Sequence, residues 1–419
     1  MIHPIPSGTR DVLPEETREV RAITSTLLSV FERHGYGEVY TPALEYESVL
    51  TRADMADAEP AYRVFDETGA VLVLRSDMTA PIARVVATRY ANSEPPLRFC
   101  YFAHCYRGVP PQRGQQRELL QAGIELIDAP EPDGDAEVLA VTAAALAATR
   151  LPEIRLDIGH VAPARHVLGA VPGAAAGPTQ TSKLHNGDAR ARLAGALARK
   201  DRAGVRSAAR VLPATIASLA EALVTLWGPA EATLDRAAQL AWPDDVHATL
   251  ARLRSVVVAL GEIADPPAPA VTIDLGDLRG FDYYTGVRFA GYAGGAPDAV
   301  LRGGRYDELI GRYGRPAHAT GFAIDLEAVA EAQRAAGVPA PAIALGVAVH
   351  GGGASRIARS LRSRGLRAVT AVERPTPAWL RGAGLDAGLV VDGGGRRELV
   401  LADDSRRDIE AAVSSLMEE

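Results

Sequence analysis

Residues 98–127 read RFCYFAHCYRGVPPQRGQQRELLQAGIELI, two apolar-rich stretches around a loop bearing proline and arginine. Strand periodicity puts Phe99, Tyr101, Ala103, Cys105 and Arg107 on one face of the first stretch. On the second, Gln121, Gly123 and Glu125 share a face, and Ala122, Ile124 and Leu126 take the other. The loop VPPQRGQQR, with Arg113 and Arg117, is expected to be cationic and mobile. An arginine, a glutamine, a glutamate and a bare glycine on strand faces are costly to bury without partners. Glycine also leaves room for a molecule to lie against the sheet. This hairpin is therefore expected to floor a small-molecule pocket.

The rest of the composition narrows the class. The chain has 419 residues, 47% of them hydrophobic and 23% charged, as in ordinary globular proteins. A net charge of −7 favours neither nucleic acid nor an anionic membrane as a partner. Cys100 and Cys105 lie on opposite strand faces and cannot bridge locally, and no Cys/His spacing suggests zinc. Reduced thiols, no apolar run long enough for a membrane span and no signal-like start give the expectation of a cytoplasmic protein without metal or cofactor.

Helical spacing of Val20, Ile23, Leu27, Leu28 and Phe31 predicts a first helix, opened by Pro14 and followed by Gly35. VFD and VLVLR read as a hairpin around Glu67–Gly69, and residues 79–90 as a helix with Pro81 in its first turn. Asp77 and Thr79 then sit at a strand–helix junction, where capping is the simplest role. The Ala-, Leu- and Arg-rich stretch 187–262 is expected to be a helical insert. VTIDLGD and FDYYTGVRFAGY read as the two arms of another hairpin, and ATGFAIDLEAVAEAQRAAG as a strand feeding a helix. Domain 1–335 is thus α+β, and residues 341–419 form a small α/β domain. From Gly351 to Glu419 there are 11 Arg, no Lys, 10 acidic residues and one aromatic, Trp379, unlike an RNA-reading surface. Its runs Gly351–Gly353 and Gly393–Gly395 read as turns.

Taken in order, GTRDVLP, LRSDMT, CYRG with QRELLQAGIE, LRGFDYYTG, GGRYDELI and TGFAIDLE resemble the histidyl-tRNA synthetase catalytic domain over residues 4–330. They look closest to its non-synthetase paralogues, the regulatory subunits of ATP phosphoribosyltransferase. The resemblance implies a class II aminoacyl-tRNA synthetase-like fold, a six-stranded antiparallel sheet with flanking helices. It also implies a homodimer through the first helix and the strand after it, and a degenerate anticodon-binding-like C-terminal domain.

A histidine ligand needs an acceptor for its ammonium, a donor for its carboxylate and partners for both ring nitrogens. By resemblance Asp77 and Thr79 take the ammonium. Arg107 and Gln121 fit the carboxylate, since a guanidinium offers forked donors. Glu125 can accept from an imidazole N–H, and the Tyr284 hydroxyl can satisfy the second nitrogen. Arg279 corresponds to the synthetases' histidine-specific arginine. Tyr283 stands beside Tyr284 as a further candidate, although alternation turns it to the other face, where a core position is the plainer reading. A buried Arg107–Glu125 ion pair is the structural alternative.

Departures from the synthetases bear on activity. The third class II motif should end in an arginine that holds ATP, and here Ala328 follows Glu327; losing a cation from a phosphoryl-transfer site is severe. A GRYRQF-like run has become GQQREL, Asp77 replaces a glutamate, and the C-terminal domain is short and close to neutral. The implied function is a non-catalytic regulatory subunit. It would bind L-histidine, join a short-form ATP phosphoribosyltransferase catalytic subunit in a hetero-oligomer, and convey activation and feedback control of histidine biosynthesis. An active histidine–tRNA ligase, or another amino-acid-binding paralogue, is the alternative.

Overall fold

A computed structural model describes residues 5–52, 61–108, 116–172, 189–265, 269–278 and 284–403. The chain divides into two compact units, residues 1–340 and 341–419. Unit one opens with the helix Pro14–Arg33, whose first turn carries Pro14, Glu15 and Glu16, all favourable at the positive end of a helix. It buries Val20, Ile23, Leu27, Val30 and Phe31, a helical stripe, and Gly35 at φ +83° turns the chain away.

Among the described residues the organising sheet has nine strands. Their order is Gly37–Glu38, Leu97–Tyr106, Glu118–Ile127, Ala319–Asp325, Leu301–Arg305, Val287–Tyr292, Arg155–His160, Ala270–Asp274 and Trp227–Pro229. The run from Leu97–Tyr106 to Arg155–His160 is antiparallel at every step, which is the expected six-stranded sheet. Three short strands extend it: Gly37–Glu38 pairs in parallel at one end, and Ala270–Asp274 and Trp227–Pro229 lie at the other.

Alternation in the central hairpin works as the side chains require. Cys100, Ala122, Ile124 and Leu126 enter the large core beneath the helices Pro14–Arg33 and Asp133–Ala148. Phe99, Tyr101, Ala103 and Cys105 face a second core with Ile82, Ala83 and Val86 of the helix Thr79–Arg89. The two cysteines accordingly form no disulfide, and they are buried on opposite faces.

One pairing expectation fails. Ala270–Asp274 and Val287–Tyr292 are not a hairpin, because Arg155–His160 lies between them and pairs with both. The connection from Asp274 to Val287 is long enough to step over one strand at about 4.8 Å per spacing. The stretch after residue 187 holds helices from Ala189–Ala198 to Asp244–Ile263, and their Leu193, Leu219, Leu234, Leu250 and Leu260 belong to the same large core. It also contributes the edge strand Trp227–Pro229, three residues with no readable period.

In the second unit, Gly346–Gly351 pairs in parallel with Arg367–Thr370 and Ala387–Val391, and Arg397–Leu401 adds an antiparallel edge. The helix Ala354–Ser363 follows Gly353 at φ +72°. Gly351 must be glycine, since an added Cβ would stand 1.9 Å from the Val391 carbonyl. Gly393–Gly395 form the turn before Arg397–Leu401. Among the described residues no helix is long and apolar enough to cross a membrane, and no group of three or more His, Cys, Asp or Glu is placed to hold a metal.

Candidate functional site

Glu125 sits at the centre of the open face of the sheet, 1% exposed. Thr79 Oγ1 donates to its Oε1 at 2.8 Å, and the Tyr306 hydroxyl donates to its Oε2. Burial pushes this carboxyl up to about 8, with nearby Asp77 adding to the rise and the two hydroxyls opposing it. A side chain opposite would have no room. Gly321 is in register with Glu125, and a Cβ there would lie 2.0 Å from Glu125 Oε2. Gly304 likewise yields its space to the ring of Tyr284, 2.6 Å from an added Cβ.

Asp77 has two tasks. Its Oδ1 accepts from the backbone N–H of Thr79 at 2.8 Å and of Ala80 at 3.1 Å, capping the helix Thr79–Arg89, while Ser76 Oγ donates to Oδ2 at 3.1 Å. It also lines the cavity. Burial raises its pKa, and these hydrogen bonds and the Arg107 charge hold the rise in check. Capping and ligand contact are therefore compatible uses of one carboxylate.

The cavity measures about 450 Å3, and Asp77, Thr79, Arg107, Gln121, Glu125 and Tyr284 all line it. Six of the eight sequence candidates thus meet in one place. Arg279 and Tyr283 lie outside the described residues, as does most of the cationic loop. The Arg107–Glu125 ion pair does not form, since the partners of Glu125 are hydroxyls. Tyr284 lines the pocket, and burial lifts its hydroxyl to about 12, so it stays a neutral donor and acceptor. Its carbonyl accepts from Arg165 Nη2 at 2.6 Å.

Sequence reasoning passed over Tyr101, Arg302, Tyr306 and Asp325, which also line the cavity. Three of them carried a signal, Asp325 by standing in the block TGFAIDLE. Tyr101 shares the strand face of Arg107, and Tyr306 sits inside the block GGRYDELI.

Around Ala328, the position where the resemblance leads one to expect an arginine, carboxylates organise the start of the next helix. Asp325 accepts from the N–H groups of Glu327 and Ala328, both at 3.0 Å, and so starts the helix Leu326–Ala335. The Ala328 methyl packs on the core and brings no charge. Glu327 instead receives Arg10 at 2.8 Å, and Arg10 also holds Glu16 at 2.6 Å. The Arg10 cation beside this helix start is thus tied to two carboxylates.

The sequence family described as histidyl-tRNA synthetase matches residues 8–329. An ATP phosphoribosyltransferase regulatory subunit from Moorella thermoacetica is 39% identical over 87% of this chain and 91% of its own length. One from Rubrobacter xylanophilus is 37% identical over 86% and 83%. This chain belongs to the ATP phosphoribosyltransferase regulatory subunit family.

A solved relative from Bacillus halodurans, described as an ATP phosphoribosyltransferase regulatory subunit/histidyl-tRNA synthetase, superposes with a TM-score of 0.75 at 30% identity, covering 88% of this chain and 94% of its own. Histidyl-tRNA synthetase from Nostoc shares the fold at a TM-score of 0.69 and 19% identity, covering 98% and 99%. Membership of a regulatory-subunit family agrees with Ala328: the fold of an amino-acid-activating enzyme is kept, and the expected cation after Glu327 is absent from that position.

Proposed function

We propose that this chain is a histidine-binding, non-catalytic subunit of a cytoplasmic short-form ATP phosphoribosyltransferase, and that it conveys activation and feedback control to the catalytic subunit. One observation carries the reading: acceptor, donor and ring-binding groups converge on a single cavity, with Asp77 and Thr79, Arg107 and Gln121, and Glu125 and Tyr284 as the respective pairs. A pocket with several convergent polar groups is costly unless a ligand uses them. No cofactor is needed for that role. For control, histidine must favour one assembly state, and reciprocity then requires the catalytic subunit's substrates to change histidine affinity.

Calorimetric titration of L-histidine into the purified chain tests the ligand. Saturable heat is expected, and Arg107→Ala should weaken binding about tenfold or more by removing a charged donor to the carboxylate. No binding to the wild-type chain would end this reading.

A homodimer belongs to the same proposal. The three-stranded sheet of Leu44–Tyr46, Val71–Leu74 and Arg63–Phe65 leaves Leu44, Tyr46 and Val64 exposed on one face, Tyr46 at 54%. Clustered apolar side chains of this kind support an interface between copies. Tyr46→Asp is expected to shift the chain to monomer in light scattering with its helical circular dichroism unchanged. An unaltered dimer would remove this sheet from the contact.

A further inference from the structure

Tyr101 lines the cavity and is 2% exposed, and among the described residues its hydroxyl makes no hydrogen bond. It is paired in register with Gly123, and a Cβ added there would stand 2.5 Å from that hydroxyl. The phenol thus occupies the space that the glycine leaves open. A phenylalanine would fill the same space without burying a polar atom, so the fold gains nothing from the oxygen.

Its place along the pocket indicates what the oxygen meets. Gly123 lies midway between Gln121 and Glu125 on one strand face, and the latter two are about 13 Å apart at strand rise. On the histidine reading, from which this step starts, the Gln121 end takes the carboxylate and the Glu125 end the ring. The hydroxyl then lies between them, where the α-ammonium branches. An ammonium has three N–H donors. The Asp77 carboxylate and the Thr79 hydroxyl offer two acceptors.

We propose that the Tyr101 phenolic oxygen is the third acceptor, making the pocket selective for a ligand with a primary ammonium on the α-carbon. Burial, with Glu125 and Asp77 nearby, holds the phenol's pKa well above its ordinary value, so it remains neutral with lone pairs to offer.

The test compares Tyr101→Phe with wild type for two ligands, L-histidine and its des-amino analogue 3-(imidazol-4-yl)propionate. Ligand-observed NMR titration reads affinities into the millimolar range. Tyr101→Phe should weaken histidine about tenfold and the analogue by less than about twofold. The ligand-free variant should melt no lower than wild type, because only an unpaired oxygen is lost. An equal loss for both ligands, or unchanged histidine affinity, overturns the assignment while leaving the histidine reading in place. Wild-type protein that binds no histidine overturns both.

Discussion

Arg305→Ala is expected to cost about 3–5 kcal/mol of folding stability, measured by urea denaturation at neutral pH. Arg305 is fully buried. Its Nε donates to Asp135 Oδ1 at 2.9 Å, Nη1 to Asp307 at 3.0 Å and Nη2 to the Ala129 carbonyl at 3.1 Å. These bonds fasten the strand Leu301–Arg305 to the start of the helix Asp133–Ala148, immediately before the pocket residue Tyr306. Alanine would strand Asp135, itself 1% exposed, without its cation. Burial already raises that carboxyl to about 6 against the pull of Arg305, and without the guanidinium it should rise further. A carboxyl raised on folding takes up a proton that the unfolded chain lacks, so the variant's deficit should shrink as the pH falls from 7 towards 5. Adding Asp135→Asn should recover part of the loss, since it removes the uncompensated charge. A deficit below about 1 kcal/mol at pH 7 would show that the ion pair contributes little to the fold.

The central hairpin was legible because its two faces go to different places. Ala122, Ile124 and Leu126 enter a closed core, whereas Gln121, Gly123 and Glu125 face the cavity side, and a period of two separates them without ambiguity. The false hairpin had the opposite cause. Ala270–Asp274 and Val287–Tyr292 are neighbours in sequence, but the strand between them comes from residues 155–160, and sheet order is a non-local property that periodicity does not encode. Tyr306 was missed for the same reason. Its hydroxyl reaches Glu125 only because Ala319–Asp325 brings Leu301–Arg305 within one strand of Glu118–Ile127. Short edge strands such as Trp227–Pro229 and Arg397–Leu401 carry too few residues, or too many charges, to show a period. The match of ordered blocks conveyed the family. Which oxygen holds which carboxylate became visible only in three dimensions.

Glu125→Gln should weaken histidine binding about a hundredfold and, in the ligand-free protein, make stability less dependent on pH. The two effects share a cause. The Glu125 carboxyl is held by two hydroxyls and raised to about 8 by burial, far above its ordinary range near 4.5. A carboxyl whose folded pKa is raised stabilises the fold most below its unfolded value, and that contribution is lost as the pH climbs to about 8. Wild-type protein should therefore lose stability between about pH 5 and 8, by up to about 1.4 kcal/mol per pH unit. Glutamine keeps the size, can accept from one hydroxyl and donate its NH2 to the other, and has no proton to lose in this range, so its profile should be flatter. Saturating histidine should flatten the wild-type profile as well, because an imidazole N–H and an ammonium supply the compensation that the ionised carboxylate lacks. Thermal melts across this range, with and without histidine, measure both changes. Superimposable profiles for wild type and Glu125→Gln would mean that the carboxyl is ionised at neutral pH and already compensated. In that case the pocket would have no charge left over for a ligand to neutralise, and histidine recognition would have to rest on the carboxylate end at Arg107 and Gln121.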